Sequence, residues 1–146
     1  MADSFAKGAE VLCTALAEDD YQREYASAQV VLHLCRHATE LFLKGAISAR
    51  TNRPPRKTHR LERLYAEYRQ HFPRDKHQVH FPFPEQTFDA QDGLFPGSLE
   101  EYQRTHDQRF RYPTDAAGRR FDNLEPFDID AYQKAIERFR SELRLR

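Results

Sequence analysis

Residues 33–64 carry the sequence pattern that is most informative about the fold. They read HLCRHATELFLKGAISARTNRPPRKTHRLERL. Apolar side chains cover more than half of the circumference in the first part of this stretch, which is typical of a helix packed on several sides. Pro54 and Pro55 then end the helix, because proline cannot continue the hydrogen-bond ladder. Leu61 and Leu64 recur at helical spacing after the break. The stretch predicts two helices joined by a basic loop.

The same periodicity, followed along the chain, predicts an all-α fold. We expect one domain, 1–146, built as an up-and-down helical bundle of four main helices. The main helices are expected at 4–18, 20–50, 58–72 and from residue 129 onward, with an irregular Pro-rich insertion at 73–98 and a short helix at 99–109. Asp3 or Ser4, Thr58 and Asp128 are the candidate N-caps. The predicted core consists of Leu34, Leu41, Phe42, Leu61, Leu64, Tyr68, Ile136 and Phe139.

Composition narrows the class of protein without naming a substrate. Acidic and basic side chains number 23 each, so the net charge does not indicate a nucleic-acid or membrane partner. No apolar run is long enough to span a bilayer, and no signal segment is present at the N-terminus. Cys13 and Cys35 lie on predicted helices outside any CxxC pattern, which favours buried thiols in a reducing compartment. A cytoplasmic protein is expected.

A polar stripe runs along the central helix. Its members are spaced by four, three and four residues and therefore share one face: His33, His37, Glu40 and Lys44. Two histidines beside a carboxylate can move protons or bind a metal ion. The alternative, which we favour, is a solvated or dimer-facing stripe in which Glu40 pairs with Lys44. No metal is expected there, since Lys44 would repel a cation.

A second group of histidines, His71, His77 and His80, lies near Glu85 and Asp89. No predicted helix or hairpin would hold them in place, so we interpret them as loop histidines rather than metal ligands. The chain also lacks GxxxxGK[ST], GxGxxG and GxSxG motifs, which argues against phosphate-loop, dinucleotide and hydrolase sites. No cofactor is expected.

The basic loop is the clearest candidate binding site. Its cations precede a helix N-terminus, where amides and the dipole favour anions. We predict phosphate binding by Arg53, Arg56, Lys57 and Arg60, with His59 and Arg63 beside them. In the competing interpretation these charges only solvate the loop and pair with Glu62 and Glu67.

Residues 40–45 (ELFLKG) followed by 59–64 (HRLERL) resemble the HEPN superfamily, whose members combine a Glu-Leu-x-Leu-Lys helix with His-x-Leu-x-x-Leu at the start of the next helix. Residues 111–113 (RYP) are similar to a segment of some relatives. The resemblance covers about 4–72. It implies an all-α bundle that usually dimerises, in a family of metal-independent ribonucleases, toxin components, nucleotide-associated proteins and inactive relatives.

Active HEPN ribonucleases carry an arginine, four to six residues, and then a histidine. Arg53 with His59 and Arg74 with His80 match this spacing, but the first pair spans two prolines and the second lies in the insertion. The chain therefore departs from the usual ribonuclease motif. If it is an enzyme, the candidate catalytic residues are Arg53, His59, His106 and Arg111.

Three functions follow from these observations. The first, which we favour, is a homodimeric binding or regulatory module that associates with RNA, a nucleotide or a partner protein. The second is a metal-independent endoribonuclease, in which such residues would orient the ribose 2′-hydroxyl and stabilise phosphorane charge. The third is a purely structural interaction module. Membrane association is not expected.

Overall fold

The protein is all-α. A computed structural model describes residues 1–18, 25–83, 103, 104, 118 and 128–145. These residues form four α-helices and one short 3₁₀ helix, and they contain no strand. The helices are α1 (Ala2–Glu18), α2 (Tyr25–Thr51), α3 (Leu61–His71) and α4 (Ile129–Arg144), with the 3₁₀ turn at Asp75–His77. The predicted helical bundle is confirmed.

Helix α2 is the central element of the bundle. It is the longest described helix, with 27 residues, and it packs against both α1 and α3. Helix α4 packs against α1. The apolar circumference of this helix predicted from the sequence that it packs on several sides. The contacts of α2 with α1 and α3 agree with that prediction.

Two groups of buried side chains form the core. One group joins α2, α3 and α4 and is centred on Leu43, Leu64, Tyr68 and Phe139. The other joins α1, α2 and α4 through Ala9, Cys13, Leu16, Val31, Cys35 and Ile136. Aromatic contacts extend the first group, since the ring of Phe42 lies 5.7 Å from that of Tyr68 and 6.4 Å from that of Phe139.

Five of the eight predicted core residues are buried: Leu61, Leu64, Tyr68, Ile136 and Phe139. Leu34, Leu41 and Phe42 are only half-buried. Phe42 packs against the first group, but both Leu41 and Phe42 also line an open cleft. Leu34 lies at the edge of the second group.

The helix boundaries differ from expectation at two N-termini. Helix α1 already begins at Ala2, so Asp3 and Ser4 lie inside its first turn. Helix α3 begins at Leu61 after the N-cap Arg60, and the Thr58 hydroxyl accepts a hydrogen bond from the Arg60 amide at 3.2 Å. Asp128 is the N-cap of α4, as predicted, and accepts a hydrogen bond from the Ala131 amide at 3.1 Å.

After α3 and the 3₁₀ turn, residues 78–83 pack against the helices. Val79 and Pro82 are buried, and the ring of Phe81 lies 5.5 Å from that of Phe139. The backbone amide of His80 donates to Glu142 on α4 at 2.8 Å. The remainder of the predicted insertion and nearly all of the predicted helix at 99–109 lie outside the described residues, although 103 and 104 are helical.

Candidate functional site

Glu40 lies at the centre of a buried polar network on α2. Its Oε1 accepts a hydrogen bond from Lys44 Nζ at 2.8 Å, and its Oε2 accepts one from Arg36 Nη1 at 3.1 Å. The side chains of Glu40 and Arg36 are each only 5% exposed. Charges removed from water are tolerated when they are paired and hydrogen-bonded, and both conditions are met here.

The network extends to the loop before α3. The guanidinium of Arg36 donates a second hydrogen bond, from Nη2, to the backbone carbonyl of His59. The His59 ring nitrogen Nδ1 lies 2.9 Å from Glu40 Oε1, although the side chain is 69% exposed. An ionised carboxylate can only accept, so Nδ1 carries the proton that it donates to Glu40. Nε2 is left as the ring nitrogen that a ligand can reach.

The pKa of Glu40 lies below its usual value of 4.5. Burial alone would raise it, since a charge is costly away from water. The hydrogen bond and charge of Lys44, followed by the charges of Arg36 and His59, outweigh burial and favour the carboxylate. Glu40 is therefore ionised at neutral pH and holds its partners by charge-assisted hydrogen bonds.

This network joins the two segments that carry the HEPN resemblance, 40–45 and 59–64. The Glu40–Lys44 pair was predicted from its spacing. The contact between Glu40 and His59, nineteen positions apart in sequence, was not predicted. Arg36 was missed altogether, although its place one helical turn before Glu40 was a signal that could have identified it.

The basic loop contains both paired and unpaired cations. Arg56 Nε lies 2.7 Å from Glu67, and Arg60 forms an ion pair with Glu62. These are the pairings of the competing, structural interpretation. Arg53, Lys57 and Arg63 are exposed and form no ion pair with the described part of the chain.

The path of the loop is fixed at its start. Asn52 has a φ of 52°, a left-handed conformation that asparagine adopts more readily than most residues. The Ser48 hydroxyl donates to the Arg53 carbonyl at 2.5 Å. With His59 anchored at the other end, both ends of the loop are tied to α2.

The polar stripe divides into two parts. Glu40 and Lys44 belong to the network above, whereas His33 and His37 are half-buried on the side of α1. Their rings are 6.3 Å apart and nearly parallel, and Phe5 of α1 lies edge-on to His37 at 4.4 Å. Within the described residues no three side chains are grouped so as to hold a metal ion.

The second histidine group is also held by protein contacts. His80 Nδ1 lies 2.8 Å from Glu142, and Arg138 Nη2 lies 2.9 Å from His80 Nε2. The Tyr68 hydroxyl donates to the carbonyl of His77 at 2.7 Å. His71 is half-buried at the end of α3. The candidate residues Glu85, Asp89, His106 and Arg111 lie outside the described residues.

No protein-family model, curated protein or solved structure matches this chain. In the ranges that the structure covers, no helix is both long and apolar enough to cross a membrane.

Proposed function

We propose that this chain is a HEPN-like helical module that binds RNA at the α2–α3 junction. We define the junction as residues 52–63. The observation that carries the proposal is the exposed His59 ring, which the buried Glu40 carboxylate contacts through Nδ1, in a junction that also carries the exposed cations Arg53, Lys57 and Arg63. Such an arrangement resembles a prepared anion site more than a solvated loop.

Phosphate is the ligand group that suits the junction. Arg53, Lys57 and Arg63 each supply a full positive charge that no described carboxylate neutralises. Arg56 and Arg60 already contact Glu67 and Glu62, so a phosphate would have to compete for them. We therefore expect the three unpaired cations to contribute more to binding than the two paired arginines.

RNA is favoured over a single nucleotide because the unpaired cations are spread along the loop and into the first turn of α3. A polyanion can contact several of them at once, whereas a mononucleotide offers its phosphates at one point. The near-zero net charge of the whole chain means that such binding must be local. Affinity should then fall steeply with salt, since neutralised phosphates release counterions.

A fluorescence anisotropy titration with a labelled 20-nucleotide single-stranded RNA tests the proposal at low salt. The variant Arg53→Ala/Lys57→Ala should bind more weakly than wild type, and the salt slope should decrease by about 0.7 for each lost phosphate contact. Arg56→Ala/Arg60→Ala is the matched control, because it removes the same charge from the same loop. We expect that variant to lose less affinity.

Equal affinity of wild type and Arg53→Ala/Lys57→Ala would contradict the proposal. Complete displacement of the RNA by equimolar ATP would instead identify a nucleotide site. Arg53→Ala/Lys57→Ala should not melt far from wild type, because both side chains are exposed and exposed substitutions usually change stability by less than about 0.5 kcal/mol.

The proposal includes a symmetric homodimer in the cytoplasm. Dimerisation is what the HEPN resemblance implies, and a symmetric interface would present two junctions to one RNA. Two unpaired, buried cysteines are consistent with a reducing compartment.

Endoribonuclease activity is a second candidate function, and the orientation of His59 favours it. A carboxylate that fixes one ring nitrogen leaves the other placed for proton transfer. His59 Nε2 would take the proton of a ribose 2′-hydroxyl while that oxygen attacks phosphorus. The 5′-oxygen would leave and take a proton from solvent water, giving a 2′,3′-cyclic phosphate, and Arg53 would stabilise the charge on the phosphorane. Cleavage of RNA in EDTA by wild type, lost in His59→Ala, would establish this activity.

A further inference from the structure

A wide apolar cleft of about 900 Å³ opens on another side of the bundle. Its lining comes from every described α-helix and the 3₁₀ turn. Leu41 and Phe42 of α2 face Tyr68 and Phe72 near the end of α3, and the ends of α1 and α4 close the cleft. Its volume lies within the range of pockets that bind small molecules.

Small residues of α2 keep the cleft open. Gly45, Ala46 and Ala49 line it one helical turn apart or less. A Cβ atom added at Gly45 would meet no atom within 4 Å, so the space next to this glycine is empty. Glycine in a helix costs conformational entropy, and here no close backbone approach requires it.

The charges at the rim of the cleft are predominantly positive. Arg50, in the last turn of α2, lines the cleft and forms no ion pair with the described residues. Lys76 of the 3₁₀ turn is a second lining cation. Among the described residues that line the cleft, Asp3 is the only one with a carboxylate side chain, and it already contacts Arg140 at 3.1 Å and Arg144 at 3.8 Å. An anionic group at the rim would therefore meet an uncompensated cation.

We infer that this cleft binds a small molecule with an apolar body and one carboxylate. The apolar body would lie on Phe42, Tyr68 and Phe72, and the carboxylate would contact Arg50. A second copy of the chain fits the cleft less well, because a symmetric contact here would bring two sets of the same rim cations into one interface.

Calorimetric titration with decanoate, below its micelle concentration, tests this inference, with decanol as the uncharged ligand of equal chain length. Wild type should bind decanoate more tightly than decanol. Arg50→Ala should weaken decanoate binding by about threefold, as expected for a partly solvated ion pair. Gly45→Leu should weaken it by more than about tenfold, because the new side chain fills the empty space.

The Gly45→Leu variant should melt at or above the wild-type temperature, since leucine has the higher helix propensity. Ala66→Leu, on the exposed face of α3 and outside the cleft, is the matched control and should bind like wild type. The inference is overturned if wild type does not bind decanoate, if decanol binds equally well, or if Gly45→Leu binds like wild type. Conversion of a dimer to a monomer by Gly45→Leu would show that a second copy occupies the cleft, and would also overturn it.

Discussion

At the scale of single residues, Glu40 holds the junction together. Its carboxylate is the common partner of Lys44, Arg36 and His59, and two of these contacts lie within α2 while the third crosses to the loop. Removing the carboxylate would break the buried hydrogen bond and ion pair between Glu40 and the Arg36 guanidinium. This makes Glu40 a residue on which both stability and the orientation of His59 depend.

Glu40→Gln should therefore destabilise the protein by about 3 kcal/mol at pH 7, because breaking a buried ion pair by removing one partner is strongly destabilising. The effect should depend on pH. The pKa of Glu40 is lower in the folded state than its usual value of 4.5, so its contribution is fully present above pH 4.5. It is lost as pH falls through the lower, folded-state pKa.

Urea unfolding of both proteins between pH 7 and pH 3 measures this contribution. The difference in free energy of unfolding between wild type and Glu40→Gln should shrink toward pH 3. A difference that stays constant over this range would mean that Glu40 is not held ionised by its partners.

The two cysteines should be inert in the folded protein. Burial raises the pKa of the Cys35 thiol well above its ordinary range, with a smaller contribution from Cys13. Burial, followed by the charges of Asp130 and Glu137, also raises the pKa of Cys13. Because the thiolate is the reactive form, a thiol-specific reagent at pH 8 should label neither cysteine in native protein and both in 6 M guanidinium chloride. Rapid labelling of the native protein would contradict this burial.

At the scale of elements, the sequence predicted α2, α3 and α4 well because each carries a strong helical repeat of apolar residues. The N-terminus of α3 was placed near Thr58 because threonine is a good capping residue. In the structure the residues before Leu61 are held instead by the Arg36 and Glu40 contacts to His59. Such contacts depend on which helices pack together, and a local pattern does not contain that information.

The contacts of residues 78–83 likewise could not be predicted from a local sequence pattern. The alternation of Val79, Phe81 and Phe83 fits an extended segment, and prolines are disfavoured in a central strand. No local pattern indicates that Glu142 of α4 contacts both the backbone amide and the ring of His80. The partners are 62 positions apart, so only the packing of α4 brings them together.

Phe139 of α4 is fully buried, and its ring contacts Phe42 of α2 and Phe81 of the segment after α3. Phe139→Ala should cost about 4 kcal/mol, since it removes apolar burial and leaves a cavity. Val30→Ala, at a site that is 48% exposed, should cost less than about 1 kcal/mol and serves as the control. Chemical unfolding of the two variants measures both values, and similar costs would show that α4 does not pack as described.

At the scale of the whole molecule, composition and periodicity were enough to predict an all-α helical bundle, but they did not identify the functional site. The predicted phosphate-binding set of Arg53, Arg56, Lys57 and Arg60 does lie together in one loop. The structure separates it into paired and unpaired cations, a distinction that requires the positions of Glu62 and Glu67. The structure also shows the contact between the Glu40 carboxylate and the His59 ring, which the sequence did not predict.

The oligomeric state of the chain tests the proposed homodimer. If the proposed homodimer forms, light scattering at tens of micromolar should give about twice the chain mass of 17.3 kDa. A single species at the chain mass, unchanged by concentration, would contradict it. The measurement does not depend on RNA binding. A monomer that binds RNA would contradict the proposed homodimer but not the proposed RNA binding.

Ultraviolet crosslinking locates bound RNA on the protein, and it therefore tests the proposed binding of RNA at the junction. Wild type would be irradiated with a 4-thiouridine-substituted single-stranded RNA at low salt, digested, and analysed by mass spectrometry. We predict that the crosslinked peptides contain residues 52–63, and that Arg53→Ala/Lys57→Ala reduces their yield more than Arg56→Ala/Arg60→Ala does. Crosslinks confined to peptides outside this range, or no crosslinks at all, would contradict RNA binding at the junction.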